Sequence, residues 1–216
     1  MRSFLHSVIG ALRQGRSRAR AQSLVEIAIA LPVLLILLSG MIELGFMLNY
    51  YLSLLDCTRE AARLWSNGDP FLRDDDRNPV GDDLVGYYQK VAGTVLYSLQ
   101  PVNAQDTSRK IMLDPASDDV VVSVFSVDGT HVVRFPSSMG GEYHWFNNQP
   151  SAFSDAEIIS RLIGEAPETG ILLVEIYYAY HQVLALPWIT IVIPNPTTLH
   201  AYTMMPLSAA EPTPIP

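Results

Sequence analysis

The sequence predicts an α+β fold in which a long N-terminal membrane-spanning helix packs on an antiparallel β-sheet domain. Three observations carry this. An uncharged run, Ile27 to Ile42, lies between Glu26 and Glu43. A helical apolar pattern continues beyond it to about Ser66. A strand-rich remainder follows, broken by turn signals and short helical patterns. The chain divides into a basic leader (1–21), a long helix (22–66, transmembrane over about 24–46), an extracytoplasmic α+β domain (67–210) and a disordered tail (211–216).

The apolar run comes first. It holds 16 residues. With its apolar flanks it approaches the ~20 residues that cross ~30 Å of hydrocarbon. Arg2, Arg13, Arg16, Arg18 and Arg20 precede it with no acid among them. Residues 22–216 carry nine basic residues against all 22 acids, a net charge of −13. That asymmetry predicts a cytoplasmic N-terminus and an outer domain. A cleaved secretory signal is the competing explanation. Its apolar region would be shorter, about 7–15 residues, and would end at a small-x-small site. Pro32 inside the run cannot donate to the Ala28 carbonyl, which predicts a kink. Glu26 either marks the membrane interface or pairs with a cation, because a carboxylate within a membrane helix is costly.

The helix continues with Leu44, Leu48, Tyr51, Leu55, Ala62 and Trp65 as its expected buried face, and Ser66-Asn67-Gly68-Asp69-Pro70 stops it. Cys57, the single cysteine, excludes an internal disulfide and is expected to pack as a small apolar residue; an intermolecular disulfide is the alternative. Residues 69–83 read as an acidic loop. Asp74-x-Asp76-x-Asn78 resembles the opening of a calcium loop, but Pro79 and Val85 stand where glycine and glutamate are required. Leu84 to Leu99 is an amphipathic helix capped by Asp82 or Asp83, with Leu84, Tyr88, Val91, Val95 and Leu99 on its apolar side.

Strands are expected at Lys110–Leu113, Asp119–Val127 and Thr130–Phe135, the last two joined by an Asp128-Gly129 turn. Pro136–Pro150 is a loop whose aromatic residues are expected to close the core, a contact surface being the alternative. Ser154 to Glu157 is a capping box opening a helix that ends at Gly164. Ile171–Leu184, Trp188–Ile193 and Leu199–Met204 complete the β-rich set, with a turn at Pro194-Asn195-Pro196.

The segment Ala21-Gln22-Ser23-Leu24-Val25-Glu26, behind a basic leader and before an apolar helix, resembles a type IV prepilin processing site. The wider run to Gly45, with Ala61-Ala62-Arg63 beyond it, is similar to the TadE-like minor pseudopilins of tight-adherence (Flp) pilus systems. The resemblance is specific over residues 15–66. It implies a pilin-like fold and cleavage between Ala21 and Gln22, which makes Glu26 the fifth mature residue. It implies pairing of Glu26 with an α-amino terminus, and as partners a prepilin-type peptidase, other pilus subunits and an assembly platform, beside membrane lipid. The family pattern usually has glycine before the cut, where this chain has Ala21. Gly15 would put Arg20 in the fifth position, which does not fit.

Enzyme chemistry finds no support. No G-x-S-x-G, H-E-x-x-H or phosphate-binding glycine loop occurs, and His131, His144, His181 and His200 lack metal-ligand spacing. The expectation is a non-enzyme with no cofactor and no metal. The acidic outer part argues against nucleic acid. Two further alternatives stay open: an uncleaved single-pass protein presenting a binding domain, and a membrane-tethered enzyme.

Overall fold

The computed structural model describes residues 24–100, 111–129, 131–161 and 168–211; helix α1 (Arg2–Trp65) has its side chains described from Leu24 onward. The side chains of the leader, the Ala21–Gln22 processing site, the residue Lys110, the helix end at Gly164 and residues 212–216 lie outside the described residues. The chain forms two compact units: residues 1–46 with 182–194, and residues 47–181 with 195–216.

The larger unit is an α+β domain. Its main sheet runs β4 (His131–Phe135), β3 (Asp119–Asp128), β6 (Glu168–Tyr180) and β7 (Thr197–Pro206), all antiparallel. The two-residue strand β5 (Tyr143–His144) shares the edge of β3 with β4. The central strands β3 and β6 are buried on both faces, which is why their sequences run apolar without alternation. Val120, Val122 and Val124 of β3, with Leu172, Val174 and Ile176 of β6, face the helical core. Phe125, Val127, Ile171 and Leu173 face a second core closed by Phe153 and by Ile158 of α3 (Asp155–Arg161).

The helical side of the sheet is covered by the outer turns of α1. The buried seam is Leu54, Cys57, Thr58, Ala61 and Ala62. Leu44 and Leu48, expected on this face, are exposed, and Tyr51 and Leu55 are half-buried. Small side chains decide the seam, because they let the helix backbone approach the sheet closely; Thr58 Oγ1 lies 3.0 Å from Thr203 Oγ1 on β7. The helix stops at Trp65, one residue before Ser66, where the Gly68 amide donates to its carbonyl (2.9 Å).

The expected acidic loop holds a small hairpin, β1 (Phe71–Arg73) with β2 (Pro79–Asp82). Its turn explains the calcium-like spacing. Asp74 accepts from the Asn78 amide (2.7 Å) and from Asn78 Nδ2 (3.3 Å), so the carboxylate shapes the turn. Asp83 then caps the next helix through the Gly86 amide (2.7 Å). That helix opens with a wide turn over Leu84–Tyr88 before becoming α2 (Gln89–Ser98), and buries Tyr88, Val91, Val95 and Leu99 as expected, with Tyr87 and Ala92 added.

Four other expectations are corrected. Residues 111–113 form no strand. The β3–β4 hairpin pairs Asp128 with His131, so Asp128 belongs to the strand and not to the turn, and Gly129 takes the left-handed φ of +57°. Strand β6 ends at Tyr180, not Leu184. Trp188–Ile193 is not a strand: Pro187–Thr190 is a helical turn, α4, whose Ile189 amide donates to Leu186 O (2.9 Å). An apolar β-branched run of that length cannot be told from a strand by periodicity alone. The capping box forms as expected, with the Ser154 amide on Glu157 Oε2 (3.0 Å). Tyr143 and Trp145 do close the main core.

Candidate membrane and assembly site

From Leu24 to Leu38 every residue of α1 is exposed. Among the described residues this is one helix long and apolar enough to cross a membrane. Glu26 heads one face of it. Ile29, Ala30, Val33, Leu34 and Leu37 follow at helical spacing and line a shallow groove with the carboxylate. Pro32 lies within α1, which runs on through it. Of the expected site residues, Glu26 and Pro32 are therefore placed on the exposed apolar stretch, while Ala21 and Gln22 lie outside the described residues.

Glu43, at the other end of the uncharged run, has a different setting. It is 2% exposed. Its Oε1 accepts the Val183 amide at 2.9 Å and its Oε2 the Leu184 amide at 2.8 Å. One turn earlier, Ser39 Oγ donates to Ile36 O (2.9 Å) and accepts from Trp188 Nε1 (3.0 Å). Gln182 Nε2 donates to Ile193 O (2.9 Å), tying the ends of the segment 182–194 together. The segment is thus a closed loop fastened to α1 by Ser39 and Glu43. Sequence reasoning took Glu43 only as the end of an apolar run and the loop as β-rich. The usable signal was the i, i+4 spacing of Ser39 and Glu43, which puts both polar groups on one face.

The second core carries two more buried carboxylates. Asp119 is fully buried and accepts from the amides of Val120 (2.9 Å), Phe146 (2.9 Å), Asn148 (2.8 Å) and Gln149 (3.1 Å). His144 Nδ1 lies 3.5 Å from its Oδ2, an ion-pair contact longer than a hydrogen bond, and Nε2 lies 3.4 Å from Glu142. Burial alone would raise the Asp119 carboxyl, but His144 and the amides outweigh it and hold it below the usual range. Asp119 in turn raises His144 against the opposing effect of burial. Glu175, fully buried, accepts from Ser151 Oγ (2.5 Å), the Ala152 amide (3.0 Å) and Tyr177 OH (3.1 Å), and contacts His200 Nε2 (2.9 Å). These groups fasten the 142–153 loop to the sheet. Ser151 points at the carboxylate and not at His200, so the three do not form a nucleophile–base relay.

Cys57 packs as a small buried residue, with Sγ donating to Leu54 O (2.9 Å). Burial pushes its thiol up to about 12, the opposite of a reactive cysteine. Among the described residues no group of three His, Cys, Asp or Glu side chains is placed to hold a metal ion.

No curated protein and no solved structure matches the chain. The family comparison is positive and local: it covers the membrane-capable part of α1 and its continuation onto the sheet domain, with Glu26, Pro32, Glu43 and Cys57 inside it. Over residues 21–63 the chain matches the model of the family described as TadE-like protein.

Proposed function

We propose that this chain is a membrane-anchored minor pseudopilin that takes part in assembling a tight-adherence (Flp type IV) pilus. In this proposal a prepilin-type peptidase cuts between Ala21 and Gln22. Helix α1 then anchors the subunit in the bacterial cytoplasmic membrane, with the sheet domain outside the cytoplasm. The role is structural, and its partners are lipid, the peptidase, other pilus subunits and the assembly platform. The observation that carries the proposal is the TadE-like match falling on a helix whose side chains are exposed from Leu24 to Leu38, with Glu26 among them.

The chemistry follows from Glu26. Cutting before Gln22 creates an α-amino group with a pKa near ~8, largely charged at neutral pH. A carboxylate within the bilayer costs on the order of 2.5–3.5 kcal/mol at the helix centre and less near the interface. Pairing it with the new amino terminus, its own or a neighbour's, offsets that cost and gives subunits a register. Pro32 supplies a kink point in the same stretch.

The second candidate is an uncleaved single-pass protein, favoured by Ala21 standing where glycine usually precedes the cut. The N-terminal mass of the protein from native membranes separates the two. A chain beginning at Gln22 supports the pseudopilin; an intact chain from Met1 overturns processing.

A further inference from the structure

The loop 182–194 contains no charged residue. Its described polar fastenings run to Ser39, Glu43 and its own carbonyls. Ile189 is buried, whereas Ile191 and Val192 are 84% and 79% exposed, and Val183 and Trp188 are also open. Large apolar side chains clustered this way mark a contact with something apolar.

The place of the loop along α1 says what that is. At ~1.5 Å per residue, Ser39 lies about 20 Å and Glu43 about 26 Å along the helix from Glu26. If Glu26 sits at one edge of a hydrocarbon layer ~30 Å thick, both fastening points fall inside the opposite edge. Glu43 would then be a carboxylate within the bilayer. The loop resolves this, since two backbone amides satisfy its oxygens and the loop covers it from solvent. Trp188 suits the same depth: its ring is partly exposed, its N–H is satisfied by Ser39, and aromatic rings of this kind collect at membrane interfaces.

We propose that residues 183–193 insert into the lipid leaflet at the Glu43 end of α1, as an apolar wedge fastened by Glu43 and Ser39. The proposal rests on the membrane-anchor part of the proposed function. It adds a second lipid-contacting element, distant in sequence from the helix, that sets how deeply the helix sits.

The test uses the full chain in phosphatidylcholine–phosphatidylglycerol vesicles with a nitroxide at Ile191→Cys. Leu34→Cys on α1 and Tyr97→Cys on the exposed side of α2 are the references. Buried Cys57 leaves the introduced thiol as the labelling site. Accessibility to oxygen, which concentrates in lipid, is compared with accessibility to a water-soluble nickel chelate. The expected oxygen-to-nickel ratio at 191 is several-fold above that at 97 and close to that at 34. A ratio at 191 like that at 97, with 34 still protected, overturns the wedge and leaves the anchor intact. A nickel-accessible label at 34 overturns the anchor, and the wedge with it. A label at 191 closed to both reagents shows a protein neighbour and overturns the lipid assignment. In Glu43→Ala the ratio at 191 should fall several-fold; an unchanged ratio refutes the fastening role of Glu43.

Discussion

The two carboxylates that bracket the uncharged run have opposite settings. Glu26 is exposed on an apolar helix face. Glu43 is buried and accepts two backbone amides from a loop some 140 positions away in the chain. Side-chain chemistry is the same at both sites. What differs is burial: two loop amides close over Glu43, whereas Glu26 stays exposed. The sheet domain repeats the Glu43 solution, with Asp119 accepting amides from Phe146, Asn148 and Gln149 and Glu175 accepting that of Ala152. Among the described residues, Glu43, Asp119 and Glu175 are buried carboxylates that fasten loops, whereas Glu26 is exposed among apolar neighbours on a helix face. That exposure is why the proposed function places Glu26, and not Glu43, between subunits.

The largest expected effect breaks the contrast at Glu26. Glu26→Ala should still enter the membrane fraction but should yield no pili by electron microscopy; normal piliation would remove Glu26 from assembly. Glu43→Ala should act inside the subunit instead. It strands two amides whose bonds to a charged acceptor are worth about 1.5–3 kcal/mol each. Exchange of the Val183 and Leu184 amides should accelerate by about tenfold or more, since each ~1.4 kcal/mol is a factor of ten. Glu43→Gln, which keeps one acceptor, should give a smaller effect. Equal exchange in all three proteins would mean that Glu43 fastens nothing.

The comparison sharpens in the sheet domain through pH. The Asp119 carboxyl is held below its ordinary 3.8, so its contribution to stability is complete above that value and is lost as pH falls through the lowered one. His144 is raised above its ordinary 6.5. Its contribution is complete below 6.5 and is lost as pH rises through the raised value. Denaturation midpoints followed across pH should therefore decline on both sides, and Asp119→Asn should flatten the acid limb. A wild-type profile flat from strong acid, below 3.8, to mild base would refute the coupling. The smallest effect is expected at Cys57→Ala, a change of about 1 kcal/mol from lost packing in the seam. Thiol reagents should leave Cys57 unmodified in the folded protein at neutral pH; rapid labelling would show that the seam opens.

What was legible in the sequence was local. The apolar run, its charge asymmetry, the capping box at Ser154 and the doubly buried strands β3 and β6 all follow from periodicity or from residues a few positions apart. Glu26 was legible because its neighbours in sequence are also its neighbours on the helix. The buried seam of α1 was less so. Counting large apolar residues favoured Leu44 and Leu48, whereas close approach to the sheet selected Leu54, Thr58 and Ala61 beside the expected Cys57 and Ala62.

The segments that failed share one cause. Residues 182–194 carry the composition of a strand, yet they form a loop because the amides of Val183 and Leu184 go to Glu43 and not to a neighbouring strand. Residues 69–83 carry the composition of an acidic loop, yet Asp74 closes a hairpin turn by accepting the Asn78 amide. Sequence alone determined that one stretch is apolar enough for a bilayer, that a carboxylate stands at each end of it, and that an antiparallel sheet follows. Only the tertiary structure decided which carboxylate is buried. Satisfying a buried charge takes donors from a distant part of the chain, and their convergence is a property of the fold that no local pattern encodes.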